Sequence, residues 1–249
     1  MNSKFGLVTG CGQGIGFSII VKLLEENKDL KLLGISRSKN YEILKIQEIY
    51  NDRFIFKECD ISNYDNVNKI LDTAIKKNGN FDFVICNAGV RSRLSVKESD
   101  LNLYRSIIEI NTIANINISK RIIENNIRKK LKCNILLISS IVGGRGFGEL
   151  TTYAVSKSAL EGFMRSAAIE YAKNNIQINC LAPGFVESSY TDNFKKNKKE
   201  LYQWTLNQTP MGRWGTCNEI ADLALFLISP KNSYMTGTVI YCDGGWTAK

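Results

Sequence analysis

Histidine does not occur anywhere in the 249 residues of this chain. Without an imidazole, the sequence excludes Ser-His-Asp and Cys-His nucleophilic catalysis, a histidine general base and zinc sites that need a histidine ligand. Any proton transfer must therefore come from tyrosine, lysine, aspartate, glutamate or cysteine.

The cysteines lack the spacing of a metal or redox site. Their number is odd and none belongs to a Cys-x-x-Cys pair. They are Cys11, Cys59, Cys86, Cys133, Cys180, Cys217 and Cys242. We interpret them as reduced thiols, mostly packed in a protein core, and we expect no metal site.

Long apolar runs are also missing. The longest one near the C-terminus, residues 223–228, is far too short to cross a bilayer. A strand-like stretch begins within the first eight residues, which leaves no room for a signal peptide. We therefore expect a soluble, cytoplasmic protein without a membrane partner.

Positive charge is in excess, with 33 lysines and arginines against 24 acids. The densest run is Lys195-Lys196-Asn197-Lys198-Lys199, inside a segment that also carries aromatic residues. Such a run is compatible with a nucleic-acid patch or with a solvated helix face. We favour the helix face and expect no nucleic-acid partner.

Short apolar runs rich in β-branched residues alternate with stretches of helical period. Strands are predicted over residues 6–8, 31–36, 54–59, 81–86, 134–139, 177–181 and 239–241. Helices are predicted over residues 15–27, 41–50, 64–77, 101–130, 152–173 and 218–228. Nearly continuous apolar strands separated by helices indicate an α/β protein with a parallel sheet covered on both faces.

A glycine-rich turn joins the first predicted strand to the first helix. It reads Thr9-Gly10-Cys11-Gly12-Gln13-Gly14-Ile15-Gly16. Such a turn brings backbone N–H groups and a helix N-terminus close to a pyrophosphate. The spacing departs from the common G-x-G-x-x-G, so a tight strand-to-helix connection remains the alternative at this point.

A second signal is the pair Tyr153 and Lys157, four residues apart on one face of a predicted helix. A phenol is a weak base at neutral pH, but a nearby ammonium stabilises its anion by about 3–4 kcal/mol. Ser139 and Ser140 end a strand 13 residues before the tyrosine. A hydroxyl at the carboxyl end of a central strand can donate to a substrate carbonyl oxygen beside the tyrosine.

These motifs together resemble the short-chain dehydrogenase/reductase family, in its shorter single-domain branch. The family's T-G-x-x-x-G-x-G matches residues 9–16, and its Y-x-x-x-K matches Tyr153 and Lys157. Its N-N-A-G matches Cys86-Asn87-Ala88-Gly89, with cysteine in place of the first asparagine. The resemblance implies a three-layer doubly wound Rossmann fold with a seven-stranded parallel sheet, forming one NAD(P)-binding domain over residues 1–249.

The resemblance also implies a catalytic tetrad of Asn111, Ser140, Tyr153 and Lys157, with Ser140 chosen over Ser139 by its spacing to Tyr153. Tyr153 would exchange the proton, Ser140 would hold the carbonyl oxygen, and Lys157 would bind the nicotinamide ribose. The side chain of Asn111 and a water would relay protons. The reaction implied is hydride transfer between a ketone and a secondary alcohol.

Further positions are implied in cofactor binding beyond the glycine turn and the Tyr153–Lys157 pair. They are Ser36, Arg37, Asp60, Ile61, Asn87, Ala88, Gly89, Pro183, Gly184, Val186 and Ser188. Asp60 is also a plausible helix cap, and Asn87 is also a plausible support for the strand junction.

The cofactor phosphate is argued from the end of the second strand. An acid there would bind the ribose 2′-OH of NAD, whereas this chain has Ser36 and Arg37. A guanidinium pairs well with a phosphate. Gln13 stands where many NADP-preferring relatives have a basic residue. We predict NADP(H), with NAD(H) as the alternative.

The substrate is expected beside Arg91, Arg93, Arg145 and Phe147, which suggest a keto acid, a sugar acid or polyol, or a 3-oxoacyl group. The chain is similar to 3-oxoacyl carrier-protein reductases and to gluconate and polyol dehydrogenases. However, Ile169 stands where the former often have an arginine for the carrier protein. The alternatives are an NAD-dependent sugar or polyol dehydrogenase and a non-catalytic dinucleotide-binding regulatory protein.

Two expectations concern assembly and motion. The helices over residues 101–130 and 152–173 carry apolar residues on more than one face, and in the family they form a dimer interface, so we predict a homotetramer. Residues 185–209 show no strand pattern and contain Phe185, Tyr190 and Phe194. We predict that this segment is a substrate lid, with a permanently folded helical hairpin as the alternative.

Overall fold

A seven-stranded parallel sheet forms the centre of the molecule. The structure, a computed structural model, describes residues 4–188 and 191–248. The sheet consists of β1 (Phe5–Thr9), β2 (Lys31–Ser36), β3 (Phe54–Glu58), β4 (Phe83–Cys86), β5 (Cys133–Ile138), β6 (Ile176–Pro183) and β9 (Val239–Cys242). Its spatial order is β3-β2-β1-β4-β5-β6-β9. The predicted doubly wound α/β fold is confirmed.

Helices cover both faces of the sheet. The helices that follow the strands are α1 (Gly14–Glu26), α2 (Tyr41–Ile49), α3 (Tyr64–Asn78), α4 (Leu101–Ile108), α5 (Ala114–Arg128), α6 (Ile141–Gly144), α7 (Thr151–Tyr171) and α10 (Cys217–Ile228). Polar caps begin several of them: the side chains of Asn40, Asn63 and Asp100 accept backbone N–H groups of the first turn.

Two apolar cores explain why the strands read as continuous hydrophobic runs. Leu7 and its neighbours on one face pack under α3, α5 and α7. Val8, the next residue, points to the opposite face and packs under α1, α2 and α10. Because successive strand residues alternate between faces and both faces are buried, most positions in the central strands are apolar.

The helix predicted over residues 101–130 is interrupted. A π-helical turn, Glu109–Ile113, separates α4 from α5. Such turns are rare and occur often at functional sites. Periodicity did not reveal it because one additional residue per turn changes the apolar spacing only locally.

The segment predicted as a lid has regular structure. The two-residue strand β7 (Val186–Glu187) pairs with β8 (Gly215–Thr216) beside the main sheet. Helices α8 (Thr191–Asn197) and α9 (Lys199–Gln208) follow. The lysine run lies at their junction, on exposed or half-buried positions. Tyr190, an aromatic residue of the predicted lid, lies outside the described residues.

The crevice of the fold opens where the strand order reverses. Strand β1 lies between β2 and β4, so the chain leaves β1 in one direction and returns on its other side. In open parallel sheets, ligands bind outside the carboxyl ends of the strands at this point. Within residues 4–188 and 191–248, no helix is long and apolar enough to span a membrane, and no cluster of three metal-ligating side chains is found.

Candidate active site

The glycine turn packs tightly against the end of β4. Gly10 has φ +64°, a left-handed conformation that favours glycine. A Cβ on Gly16 would overlap the carbonyl oxygen of Gly10 and lie 2.5 Å from the Asn87 amide nitrogen. Asn87 Nδ2 donates to the carbonyl oxygens of Thr9 and Gly10, at 3.2 and 2.9 Å. Asn87 therefore supports the strand junction, and Gly16 allows α1 to approach β1.

A cavity of about 360 Å³ lies in front of this turn. The predicted cofactor residues that line it are Gly10, Gly12, Gln13, Gly14, Ile15, Ser36, Arg37, Asp60, Ile61, Asn87, Ala88, Gly89, Val186 and Ser188. The N-terminus of α1 faces this region with no acid in its first turn. Its free N–H groups and positive dipole end suit an anion. Gly16 does not line the cavity.

Asp60 and Arg37 are an acid and a cation that both line this cavity. Asp60 Oδ1 accepts the backbone N–H of Ser62 at 2.9 Å and its hydroxyl at 2.7 Å. These contacts, led by the backbone N–H, lower the pKa of Asp60, and the charge of Arg37 contributes further. Asp60 is therefore an ionised acceptor, and it also fixes the turn that precedes α3.

A second cavity of about 310 Å³ adjoins the first. Of the predicted site residues, it is lined by Ser140, Tyr153, Lys157, Pro183 and Gly184. Both cavities share the residues Ile15, Asn87, Gly89, Val90, Val186 and Ser188. The fold thus joins a cavity lined by the glycine turn to a cavity lined by Tyr153 and Ser140.

Helix α7 presents Tyr153 and Lys157 to the end of β5. The Lys157 side chain is buried, and its Nζ donates to the carbonyl oxygen of Ile138 at 2.7 Å. The same nitrogen lies 5.5 Å from the centroid of the Tyr153 ring. A backbone carbonyl therefore holds the buried ammonium beside the phenol ring.

The two serines at the end of β5 have different surroundings. Ser139 is 2% exposed, and its hydroxyl donates to Glu161 Oε1 at 2.6 Å. Ser140 is half-buried, and its Oγ lies 3.5 Å from the backbone N–H of Val142 at the start of α6. Both serines line the second cavity, but the hydroxyl of Ser139 is bonded to the buried Glu161, whereas that of Ser140 is not.

Asn111 lies in the π turn and is fully buried. Its Oδ1 accepts the backbone N–H of Val90 at 2.7 Å, and its Nδ2 donates to Val90 O and Ser156 Oγ at 2.8 and 3.0 Å. Both amide hydrogens are therefore engaged. Asn111 does not line either cavity, and its side chain fastens the β4 loop to α7.

The arginines predicted to surround a substrate differ in their positions relative to the second cavity. Arg91 and Arg93 line the second cavity. Arg93 Nη1 also lies 3.3 Å from Glu149 Oε2, and its guanidinium stacks over Phe147 at 5.2 Å. Arg145 instead donates to the carbonyl oxygen of Thr247, and neither it nor Phe147 lines the cavity. Arg91 and Arg93 therefore lie at the second cavity, whereas Arg145 and Phe147 do not line it, and the expectation that all four surround the substrate stays a prediction.

Apolar side chains make up much of the second cavity. They include Ile141, Val142, Leu150, Phe185, Phe194 and Trp214. Trp214 is 6% exposed, stacks on Phe185 at 5.3 Å and contacts Phe194 at 5.4 Å. These residues come from distant segments, so their convergence has no local signal in the sequence. Cys217, which lines the first cavity, was missed for the same reason.

The cysteines are packed thiols. Five of the seven are buried, and burial raises the pKa of Cys11 and Cys86 to about 12. A thiol with so high a pKa stays protonated and is a poor nucleophile. The interpretation that most of the cysteines pack in the core is confirmed, with Cys217 and Cys242 only partly buried.

The fold and the site define a dinucleotide-dependent α/β oxidoreductase, and comparison with known proteins gives its family. A family model described as enoyl-(acyl carrier protein) reductase matches residues 10–247. The 3-oxoacyl-(acyl-carrier-protein) reductase FabG of Chlamydia muridarum is 34% identical over 98% of this chain and 97% of that protein. The FabG of Rickettsia typhi is 32% identical over 97% and 96%. The chain belongs to the short-chain dehydrogenase/reductase family.

Solved structures agree with this assignment. A 4-hydroxyisoleucine dehydrogenase complexed with NADH superposes with a TM-score of 0.91 at 25% identity, covering 99% of each chain. ElxO with NADP bound superposes with a TM-score of 0.90 at 26% identity, covering 99% of this chain and all of that one. The protein is thus an NAD(P)-dependent oxidoreductase that acts on CH–OH groups or the corresponding carbonyls.

Proposed function

We propose that this enzyme interconverts a ketone and a secondary alcohol with NADP(H), using Tyr153 as the acid and base. The observation that carries the proposal is the second cavity, where the side chains of Tyr153, Lys157 and Ser140 converge next to the dinucleotide cavity. A purely regulatory dinucleotide-binding protein would have no need for this convergence.

The residues present fit a nicotinamide dinucleotide. The turn has no side chain at Gly10 or Gly16, where a Cβ would overlap neighbouring backbone atoms. The N-terminus of α1 offers N–H groups to a pyrophosphate. Asp60 is an ionised acceptor within the same cavity, suited to an adenine amino group. The segment containing Val186 and Ser188 lines both cavities, where a nicotinamide would lie.

Each catalytic side chain has one task in this proposal. When bound, the nicotinamide supplies or accepts the hydride. In the reducing direction, Ser140 Oγ donates a hydrogen bond to the substrate oxygen, and Tyr153 transfers its proton to that oxygen as the carbonyl carbon is reduced. Lys157 stabilises the resulting phenolate through its positive charge. Asn111 holds the loop at Val90 in place through its side chain.

The dinucleotide carrying the 2′-phosphate is favoured by charge. Arg37 lies exposed at the end of β2 beside Ser36 and lines the cavity. No acid occupies either position, so no carboxylate repels a phosphate there. The bound NADP of ElxO agrees with this choice, whereas the bound NADH of the 4-hydroxyisoleucine dehydrogenase keeps NAD(H) as the second candidate.

Among substrates, the lining favours a ketone on an apolar chain, such as a 3-oxoacyl group. Phe185, Phe194 and Trp214 offer contact area but few hydrogen bonds, which suits an acyl chain better than a polyol. The 3-oxoacyl carrier-protein reductases among the relatives support this class. Arg91 and Arg93 at the same cavity supply positive charge for an anionic carrier group.

The same reasoning supports an oligomer and a lid. Val155, Ile169 and Leu101 are 46%, 84% and 69% exposed on α7 and α4, so a second copy would cover them in a homotetramer. Light scattering tests this, and a 28.0 kDa species at micromolar concentration would rule it out.

For the lid, trypsin should cut residues 195–199 readily in the free protein and slowly with NADPH.

The decisive experiment uses Tyr153→Phe. This variant should lose at least about 1,000-fold in rate because the proton donor is gone, while NADPH binding changes by no more than a few-fold. A panel of 3-oxoacyl thioesters, keto acids and polyols would be assayed with NADPH and NADH. Near wild-type turnover by the phenylalanine variant would show that Tyr153 is not the acid or base.

A further inference from the structure

Helix α7 carries a third polar side chain one turn beyond the Tyr153 and Lys157 pair. Glu161 follows Lys157 by four residues, so all three project from one face of the helix. Glu161 is only 4% exposed. Glutamate is rarely buried so completely, because removing a carboxylate from water is costly unless partners compensate.

The contacts of Glu161 lead directly to the end of β5. Its Oε1 accepts the hydroxyl of Ser139 at 2.6 Å, a length typical of a charge-assisted hydrogen bond. Gly143, in the short helix α6, packs so closely that a Cβ there would overlap the same oxygen. Glu161 thus contacts both sides of the turn that carries Ser140.

Two of the three consecutive residues that end β5 and follow it are therefore bonded to side chains of α7. The carbonyl oxygen of Ile138 accepts from Lys157, the hydroxyl of Ser139 donates to Glu161, and Ser140 lies at the cavity. Since Ser139 and Ser140 are adjacent in the backbone, movement of the first would move the second. A displacement of about 1 Å at such a position can cost about 100-fold in rate.

The carboxylate of Glu161 and the ammonium of Lys157 also lie one helical turn apart on α7. Burial raises the pKa of Glu161, while the Ser139 hydrogen bond and the charges of Arg165 and Lys157 oppose that rise. Cys180 on β6 and Tyr241 on β9 face it from the neighbouring strands. The Arg165 guanidinium lies 3.9 Å away and is more than half exposed, so water screens it. The buried Lys157 is the cation least screened by solvent.

We propose that Glu161 is a positioning residue that orients Ser140 through Ser139 and tempers the positive charge of Lys157 at Tyr153. The inference rests on the proposed role of Tyr153 and Ser140. A negative charge beside the ammonium reduces its stabilisation of the Tyr153 phenolate. Removing that charge without changing the shape of the side chain should make the phenolate easier to form.

Glu161→Gln tests the charge, because the amide keeps an oxygen acceptor for Ser139. The low-pH limit of alcohol oxidation should move to lower pH by about half a unit, whereas kcat at the optimum should fall by no more than about fivefold. Glu170→Gln is the matched control, since it removes one exposed carboxylate from the same helix. A pH profile that superposes on those of the wild type and this control would overturn the proposal.

Glu161→Leu tests the positioning. It removes the acceptor, so kcat should fall by at least about tenfold while the Kd for NADPH stays within twofold. Glutamine at the same position should restore most of this loss. An unchanged kcat in a folded leucine variant would overturn the proposal. If the leucine variant does not fold, the pH profile of the glutamine variant alone tests the proposal.

A measurement without substrate checks the ionisation. Because its pKa is raised in the folded protein, Glu161 contributes stability at low pH that is lost as pH rises through that pKa. The Tm of Glu161→Gln should therefore increase relative to the wild type as pH rises above about 4 and level off once Glu161 is ionised in the folded protein. A constant difference would contradict the raised pKa, and an increase that continued to pH 8 would show that Glu161 is uncharged and overturn its proposed effect on Lys157. Tyr153→Phe separates the two proposals. If it remains active, the proposed function fails. If it is inactive while Glu161→Gln matches the wild type, only this inference fails.

Discussion

The two adjoining cavities are built in different ways. The dinucleotide cavity is formed by backbone, with Gly10 at positive φ and Gly16 against a carbonyl group. The second cavity is formed by large side chains, among them Phe185, Phe194 and Trp214. A cavity formed by backbone requires glycine at fixed positions, whereas a cavity lined by large aromatic side chains can be formed by many different sequences. The first cavity therefore constrains its sequence far more than the second does.

The sharpest test of the backbone-built cavity is Gly16→Val. Its side chain would overlap the Gly10 carbonyl and displace Asn87, so NADPH binding should weaken by at least about 100-fold or the protein should fail to fold. Calorimetry and circular dichroism would measure both. Gly162→Ala is the control, since its Cβ meets no atom within 4 Å and should be neutral or stabilising. Normal NADPH binding by the valine variant would refute the close-packing argument.

The side-chain-built cavity is tested by Trp214→Ala. Its ring contacts Phe185, Phe194 and Tyr202, and its Nε1 donates to Thr205 at 2.8 Å. Truncation should cost about 3–5 kcal/mol of stability and raise the substrate KM, while the Kd for NADPH changes by less than about threefold. Thermal melting and steady-state kinetics measure these effects.

Trp214→Phe refines that test. It keeps most of the ring but leaves Thr205 Oγ1 without its donor, so it should lose only about 1–2 kcal/mol. If the alanine variant weakened NADPH binding as strongly as substrate binding, the two cavities would not be separable.

A smaller effect is expected where the dinucleotide cavity uses a side chain. Arg37→Ala should raise the KM for NADPH by about 10-fold and leave that for NADH nearly unchanged, because only the 2′-phosphate pairs with the guanidinium. Lys39→Ala removes a nearby exposed charge as the control. Equal losses with both cofactors would contradict the assignment of Arg37.

The smallest effect is expected at Glu219, which pairs with Arg213 next to Trp214 of the second cavity. Glu219 closes a capping box with Thr216 at the start of α10 and pairs with Arg213. These partners, Arg213 first, lower the pKa of Glu219 to about 2. A lowered pKa gives stability that is present above the unfolded value and lost as pH falls towards the folded one.

Glu219→Gln should therefore lower the Tm by about 1–3 °C at pH 7 and by progressively less as pH falls below about 4.5. Glu25→Gln, an exposed change on α1, is the control. A difference in Tm that stayed constant down to pH 3 would show that the charge of Glu219 is irrelevant. Calorimetry across this pH range makes the comparison.

Sequence patterns predicted the sheet well because each central strand is buried on both faces. The predicted strand over residues 31–36 coincides with β2, and the other central strands differ by a few residues at their ends. The segment 185–209 was predicted less well. Its lysines obscure the helical period of α8 and α9, and the strand β7 has only two residues.

Some residues of the candidate site were likewise predictable from the sequence, and others were not. Tyr153 and Lys157 were predictable because four residues of a helix bring them together. The hydrogen bond from Arg145 to the carbonyl oxygen of Thr247 was not predictable, because Thr247 lies 102 residues later in the chain. Glu161 was overlooked because a glutamate on a helix is ordinarily exposed, and its partner Ser139 lies 22 residues earlier in the chain.

The amino-acid sequence by itself determined the fold class, the glycine turn and the tyrosine and lysine pair, since each depends on strand alternation, backbone freedom or one helical turn. Tertiary structure decided which serine is bonded to a buried carboxylate, which arginines line the second cavity and that Glu161 is buried. Those outcomes depend on how β5, α6 and α7 pack against one another. Packing brings distant residues within 3 Å of each other, and no spacing along the chain encodes that distance.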